Sequence, residues 1–135
     1  MKRLLCYVDT SAFLATLNAD DKNHDRAKQQ WTELILAEAN LVCSDYVLLE
    51  SLALIQHRIG LVAAKVFHED IFPLLTIEWV DESTYRAGIA SVLTAARRDL
   101  SLVDCVSFEV MRRLGIHSAF AFDNHFREQG FACLP

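Results

Sequence analysis

Short apolar runs alternate with longer stretches whose apolar residues recur at helical spacing, and this alternation organises the whole chain. The first run, Leu4-Leu5-Cys6-Tyr7-Val8, reads as a buried strand that stops at Asp9. Thr10 or Ser11 is placed to cap a short helix through Leu17. Asp20-Asp21 open a second helix, with Ala27, Trp31, Leu34 and Ile35 on its apolar face and its end near Asn40. Leu41-Val42-Cys43 reads as a strand. Ser44 caps the next helix, which Gly60 stops. A helix is expected from Val62 to Phe72, a strand over Leu75 to Val80, and a helix from Glu82 to about Arg98. Ser101-Leu102-Val103-Asp104 has the form of a capping box, with Asp in the place of Glu, and opens a helix ending at Leu114-Gly115. Ser118 to Phe122 reads as a strand ending at Asp123, and Phe131 to Leu134 as a weak last strand.

Helices alternating with short apolar strands predict an α/β fold. The expectation is a three-layer α/β/α sandwich around a mostly parallel sheet of four to five strands, in a single domain over residues 1–135. Only four Gly and two Pro, with no repeat and no low-complexity stretch, leave short connections. No apolar run approaches the ~20 residues of a membrane span, and Asp9 interrupts the run behind Lys2 and Arg3, unlike a signal peptide. A cytoplasmic location is the expectation. Cys6, Cys43, Cys105 and Cys133 form no C-x-x-C pair and read as buried free thiols, not as zinc ligands.

The formal net charge of −5 argues against a protein that holds nucleic acid by bulk charge, but not against one that uses carboxylates. In open parallel sheets, ligands bind beyond the carboxyl ends of the strands. Asp9 and Asp123 follow strands there, and Asp104 lies in a helix's first turn, which favours an anion. Glu50 sits in an otherwise apolar stretch, Leu48, Leu49, Leu52 and Ala53. Each acid has a plainer reading: a turn residue for Asp9 and Asp123, a helix cap for Asp104, a solvated edge for Glu50. Together they predict a site. Four carboxylates spaced by ~5 Å repel by roughly 20 kcal/mol in total at an effective dielectric of about 20. They must then protonate or hold cations. All-oxygen donors point to Mg²⁺ or Mn²⁺ over zinc.

Four stretches in this order resemble the PIN-domain nucleases, and more narrowly the VapC-type toxins of toxin–antitoxin pairs. They are Val8-Asp9-Thr10-Ser11-Ala12-Phe13, Val47-Leu48-Leu49-Glu50-Ser51, Asp99-Leu100-Ser101-Leu102-Val103-Asp104, and Ala121-Phe122-Asp123-Asn124-His125-Phe126. The resemblance covers essentially the whole chain. It implies that Asp9 and Asp104 hold the main metal ion. Glu50 and Asp123 would complete the group, directly or through water. Ser11 or Thr10 would orient an acid from behind. It further implies metal-assisted attack of water on RNA, leaving 5′-phosphate and 3′-hydroxyl ends, a homodimer, and a partner antitoxin.

Asp99 is read as a supporting or loop residue, with a fifth acid as the alternative. His125 is read as structural, with a phosphate contact as the alternative. Arg97, Arg98, Arg112, Arg113 and Arg127 are candidates for a basic rim, of which Arg97, Arg98 and Arg127 are offered as RNA contacts alongside His125. The competing function is a non-catalytic PIN-like module that docks RNA or protein. A phosphatase or receiver domain fits less well: Asp9 lacks an Asp two residues on, and no Lys follows Lys65.

Overall fold

The first apolar run becomes strand β1 (Leu5–Val8), the centre of a five-stranded sheet in the computed structural model, which describes residues 3–135. Cys6, Tyr7 and Val8 are wholly buried, as expected for a strand covered on both faces. The chain continues through α1 (Thr10–Leu17), α2 (His24–Leu36), β2 (Asn40–Ser44), α3 (Asp45–Arg58) and α4 (Leu61–Val66). After α4 the helix widens into a π turn over Phe67–Ile71 and tightens into a 3₁₀ turn over Phe72–Leu74, which accommodates Pro73. Then come β3 (Leu75–Glu78), α5 (Glu82–Ala95), α6 (Leu102–Leu114), β4 (Ser118–Phe120), α7 (His125–Glu128) and β5 (Ala132–Leu134).

The strand order is β3-β2-β1-β4-β5, and every neighbouring pair is parallel. The α/β architecture predicted from the sequence is therefore the one observed. Right-handed crossovers put the helices between β1 and β3 on one face, and those that follow β3 on the other. The chain leaves β1 for β2 on one side and returns to β4 on the other. The sheet thus has its topological switch between β1 and β4, where a ligand crevice opens.

Several boundaries differ from the sequence reading, each for an identifiable hydrogen-bonding or backbone reason. The cap of α1 is Asp9, not Thr10 or Ser11: its carboxylate accepts from the Ser11 N–H at 3.2 Å. Asp20 and Asp21 do not open α2. The Asn18 side chain accepts from Asp20 N and the Asp21 side chain from Asn23 N, so this stretch is a pair of local turns. The helix ends at Leu36 because Glu38 takes a left-handed φ of 54°. Helix α5 likewise stops at Ala95, where Ala96 is left-handed at φ 53°. Strand β3 ends at Glu78 because Val80 N turns aside to Asp45 Oδ1. Strand β4 ends at Phe120, so two residues separate it from Asp123. The reason lies at Phe122, whose N–H donates to Ser11 Oγ, not to a strand. The cap of α3 by Ser44 and the capping box of α6 at Ser101 and Asp104 form as the sequence predicts. All four cysteines are free thiols. Cys6, Cys43 and Cys105 are buried and Cys133 is half-buried, and burial pushes the Cys6 and Cys43 thiols up to about 12.

Helices α5 and α6 meet at Gly88, where an added Cβ would stand 2.6 Å from Val106 Cγ2. Val106 is fully buried and has no room to yield. Overpacking of this kind costs about 1–3 kcal/mol, against about 1 kcal/mol gained from helix propensity. Gly88→Ala is expected to lower Tm by a few degrees, at about 3–4 °C per kcal/mol for a chain this size. A rise in Tm on thermal unfolding would show that the two helices separate freely.

Candidate metal centre

Beyond β1 the backbone of Asp9 makes the last ladder bond, from its N–H to Phe120 O at 3.0 Å. This fixes the Asp9 carboxylate over the switch between β1 and β4. The side chain is 4% exposed. Its Oδ2 accepts from Ser11 N at 3.2 Å and from Ser11 Oγ at 2.7 Å. Ser11 Oγ in turn accepts from Phe122 N at 3.0 Å, so one hydroxyl ties the carboxylate to the chain leaving β4. Thr10 faces elsewhere: Ser51 Oγ donates to Thr10 Oγ1 at 3.0 Å, joining α1 to α3. Of the two hydroxyl candidates, Ser11 is the one that touches the acid.

Asp104 enters from the first turn of α6. Ser101 Oγ accepts from Asp104 N at 3.0 Å, and Asp104 Oδ2 accepts from Ser101 N at 3.3 Å. Asp123 enters from the loop after β4, where its Oδ1 accepts from His125 N at 2.9 Å. Nδ1 of His125 lies 3.0 Å from Asp123 Oδ1 and 3.3 Å from Asp104 Oδ2. Asp104, Asp123 and His125 offer ligand atoms that all lie within 4.8 Å of one another. His125 Nδ1 is buried and makes no aligned hydrogen bond despite these short separations. A buried polar atom without a partner is costly, and its lone pair would be satisfied by a cation held between the two carboxylates. The donor set fits a divalent ion.

Glu50 stands outside that trio. It is half-buried on α3 and lines a shallow apolar recess with Tyr46, Leu49, Ala53 and Val103. The four expected acids therefore divide: Asp9, Asp104 and Asp123 act on one another electrostatically, with Glu50 at the margin. His125, which the sequence reading treats mainly as structural, stands in the middle. The usable signal was the Asp-x-His triplet of Asp123 and His125, a spacing that folds imidazole back onto the carboxylate.

Burial is the main cause that pushes the Asp9 carboxyl up to about 7; the charges of Asp104 and Asp123 add to it, and the Ser11 hydrogen bonds oppose it. Asp104 is raised too, by burial first and then by Asp123, against the Ser101 bonds. Burial works against a charged His125 ring, but the Asp99 hydrogen bond and the charges of Asp123 and Asp104 outweigh it and raise the ring.

Asp99 lies behind His125 on an exposed loop. His125 Nε2 lies 3.2 Å from its Oδ2, and Arg97 grips the same carboxylate through Nε at 3.1 Å and Nη2 at 2.9 Å. Arg97 Nη1 also donates to Glu128 at 2.7 Å. Arg97 is thus committed to holding Asp99, which it draws down to about 2. Arg112 is engaged with Gln129, and Arg113 with Glu109 and Thr84. Arg98 is exposed, and Arg127 lines a recess beside Asp123.

Ser11→Ala removes a donor to Asp9 and leaves Phe122 N without its acceptor. An unsatisfied buried N–H costs about 1–3 kcal/mol, and loss of a group that orients a metal ligand typically costs about 10–100-fold in affinity or activity. Ser11→Ala is expected to weaken divalent-ion binding by that factor, read by calorimetry, while Ser11→Thr retains most of it. Equal affinity in all three proteins would mean that Ser11 positions nothing.

Comparisons with known proteins agree with this geometry. The PIN domain model matches residues 6–132. The 23S rRNA-specific endonuclease VapC20 of Mycobacterium tuberculosis is 32% identical over 130 residues, covering 94% of this chain and 95% of its own length. Its crystal structure, described as that of a sarcin-ricin loop cleaving toxin, superposes with a TM-score of 0.84 at 31% identity, covering 94% of this chain and 96% of that one. FitAcB from Neisseria gonorrhoeae shares the fold with a TM-score of 0.69 at 15% identity, over 98% of this chain and 97% of its own. With three carboxylates and an imidazole gathered at the switch point of a parallel sheet, and a family model spanning nearly its full length, the chain belongs to the PIN domain family.

Proposed function

We propose that this protein, as one PIN-like domain, is a metal-dependent endoribonuclease that hydrolyses RNA phosphodiester bonds and serves as the toxin of a toxin–antitoxin pair. The observation that carries this reading is the convergence of Asp9, Asp104, Asp123 and His125 Nδ1 at the β1–β4 switch, in a chain 32% identical to an RNA endonuclease over nearly its whole length. Asp104, Asp123 and Asp9 are the residues to hold the ion, with His125 as an additional nitrogen donor and Glu50 reaching it through water. The predominance of carboxylate oxygen favours Mg²⁺ or Mn²⁺. Such an ion orients the phosphodiester, stabilises its developing charge and lowers the pKa of attacking water. The protein's own contribution is to fix these donors: Ser11 orients Asp9, Ser101 orients Asp104, and Asp99 orients His125.

The partners that go with this reading are a structured RNA, an antitoxin and a second copy of the chain, in the cytoplasm. Exposed Leu49, Leu61, Val62 and Leu93 supply apolar surface for protein contacts. Among the described residues no helix is long and apolar enough to cross a membrane.

The test incubates purified protein with an RNA stem-loop patterned on the sarcin-ricin loop, which VapC20 cleaves, with Mg²⁺ or Mn²⁺, beside Asp104→Asn. Wild-type protein is expected to cut it only with the ion, leaving 5′-phosphate ends, and EDTA is expected to stop the cut. Equal cleavage by Asp104→Asn would expose a contaminant and sink the catalytic reading. RNA binding without any Mn²⁺ binding in calorimetry would favour the non-catalytic module instead.

A further inference from the structure

Beside Asp123, on the side facing α2, the surface opens into a recess of about 250 Å³. Three cations line it: Lys22 from the turn before α2, Arg26 from α2 and Arg127 from α7. The chain as a whole carries a net charge of −5, so three cations with Asp123 as their acidic neighbour form a local reversal of sign. All three are exposed. Among the described residues, none of the three lies within ion-pair distance of a carboxylate, and none donates a side-chain hydrogen bond. Arg86, Arg97 and Arg113, by contrast, are each already paired with a carboxylate.

Phe122 also lines the recess, and the Arg26 guanidinium sits over its ring at 5.7 Å from the centroid. That contact aims Arg26. Phe122 is itself pinned through its N–H to Ser11 Oγ, and so to Asp9. The recess is therefore built onto the same scaffold as the carboxylates and shares Asp123 with them. Asn23 and Asn124 add amide groups to its wall.

We propose that this recess is a phosphate subsite, in which Lys22, Arg26 and Arg127 hold a backbone phosphate of the RNA next to the bond being cut. The proposal rests on the nuclease reading above and adds to it the place where the substrate strand is gripped. Unpaired cations supply the charge that the carboxylates repel, and guanidinium groups match phosphate oxygens in geometry. Continuity with Asp123 sets the gripped phosphate beside the reacting one. The amides of Asn23 and Asn124 suit the sugar and base edges of a nucleotide, which favours RNA over an acidic protein segment as the occupant.

The test is steady-state cleavage of the same stem-loop RNA in Mg²⁺ by wild type, Lys22→Gln, Arg26→Gln and Arg127→Gln. Lys65→Gln, an exposed lysine on α4, is the charge-matched control. Each recess variant is expected to raise KM about tenfold with kcat nearly unchanged, as loss of a charge-assisted phosphate contact requires. Each should also reduce the slope of log(kcat/KM) against log[salt] by about 0.7, the single-strand value per phosphate contact. Arg26→Lys should recover part of the loss. Recess variants that match Lys65→Gln in both KM and salt slope, while wild type cleaves, would overturn the subsite and leave the nuclease intact. An acidic protein segment would then be the better occupant. Failure of wild type to cleave or bind RNA at all would overturn both readings.

Discussion

Asp9→Asn is expected to make the metal-free protein more stable at pH 8 while abolishing its activity. The carboxyl is buried, and its folded-state value is pushed up to about 7 by burial and by Asp104 and Asp123. In the unfolded chain an aspartate titrates near ~3.9. Between these values the native state binds more protons than the unfolded state, so stability falls as pH rises from about 4 to about 7. Below pH ~4 this acid is protonated in both states and its destabilising contribution is absent. The gap corresponds to roughly 4 kcal/mol of stability lost by pH 8 in the absence of a cation, at 1.36 kcal/mol per unit. Asparagine carries no charge to lose, and its amide oxygen still accepts from Ser11. Thermal unfolding in EDTA should show Asp9→Asn melting about 12–16 °C above wild type at pH 8, at about 3–4 °C per kcal/mol, and level with it at pH 4. Activity should move the other way. A metal ion supplies several kcal/mol of transition-state stabilisation, so losing a ligand should cost about 10²–10³-fold in kcat/KM. A Tm difference that stays constant across pH would mean that Asp9 is not the group whose ionisation strains the fold.

A divalent ion should stabilise wild type by a comparable amount and with the opposite pH trend. An ion at 100 times its Kd contributes about 2.7 kcal/mol, or about 9 °C in Tm for this size of chain. Asp9, Asp104 and His125 all have raised proton affinities, so the ion competes with protons for the same atoms. The shift in Mg²⁺ or Mn²⁺ is therefore expected to be full at pH 8, to shrink through pH 7, and to vanish near pH 5. Scanning Tm with and without EDTA at each pH measures it directly. Asp123→Asn should lose most of the shift at pH 8, because it removes a member of the tight trio. A wild-type protein whose Tm ignores Mg²⁺ and Mn²⁺ at every pH would refute the metal centre.

What the sequence made legible followed from local chemistry. Ser44 and the Ser101–Asp104 box announced their helices because capping is settled within three residues. Strand β1 was readable because a short, uninterrupted apolar run stopping at Asp9 suits a strand covered on both faces. Asp9, Asp104 and Asp123 were readable as a set because strand ends and helix starts share one edge of a parallel sheet. The misses came from interactions that span the chain. Strand β4 ends early because Ser11 reaches Phe122, and nothing in either stretch alone reveals that bond. The short helix α7 has one apolar anchor, Phe126, and offers no periodicity to find. His125 entered the cluster by way of that helix. Lys22 and Arg26 belong to a segment that reads as an ordinary solvated helix entry, and only the fold carries it to Asp123.

The bond from Phe122 N–H to Ser11 Oγ also sets a clock on the protein's own synthesis. Its partners are separated by 111 positions in the chain, and β1, at the sheet's centre, stays open on one side until β4 arrives. At 5–20 residues per second, a ribosome takes on the order of 5–20 s to make the intervening chain. Throughout that interval Asp9 lacks Asp123, which follows Phe122 in the chain. The acidic cluster around Asp9 can form only once the chain through Asp123 has been made.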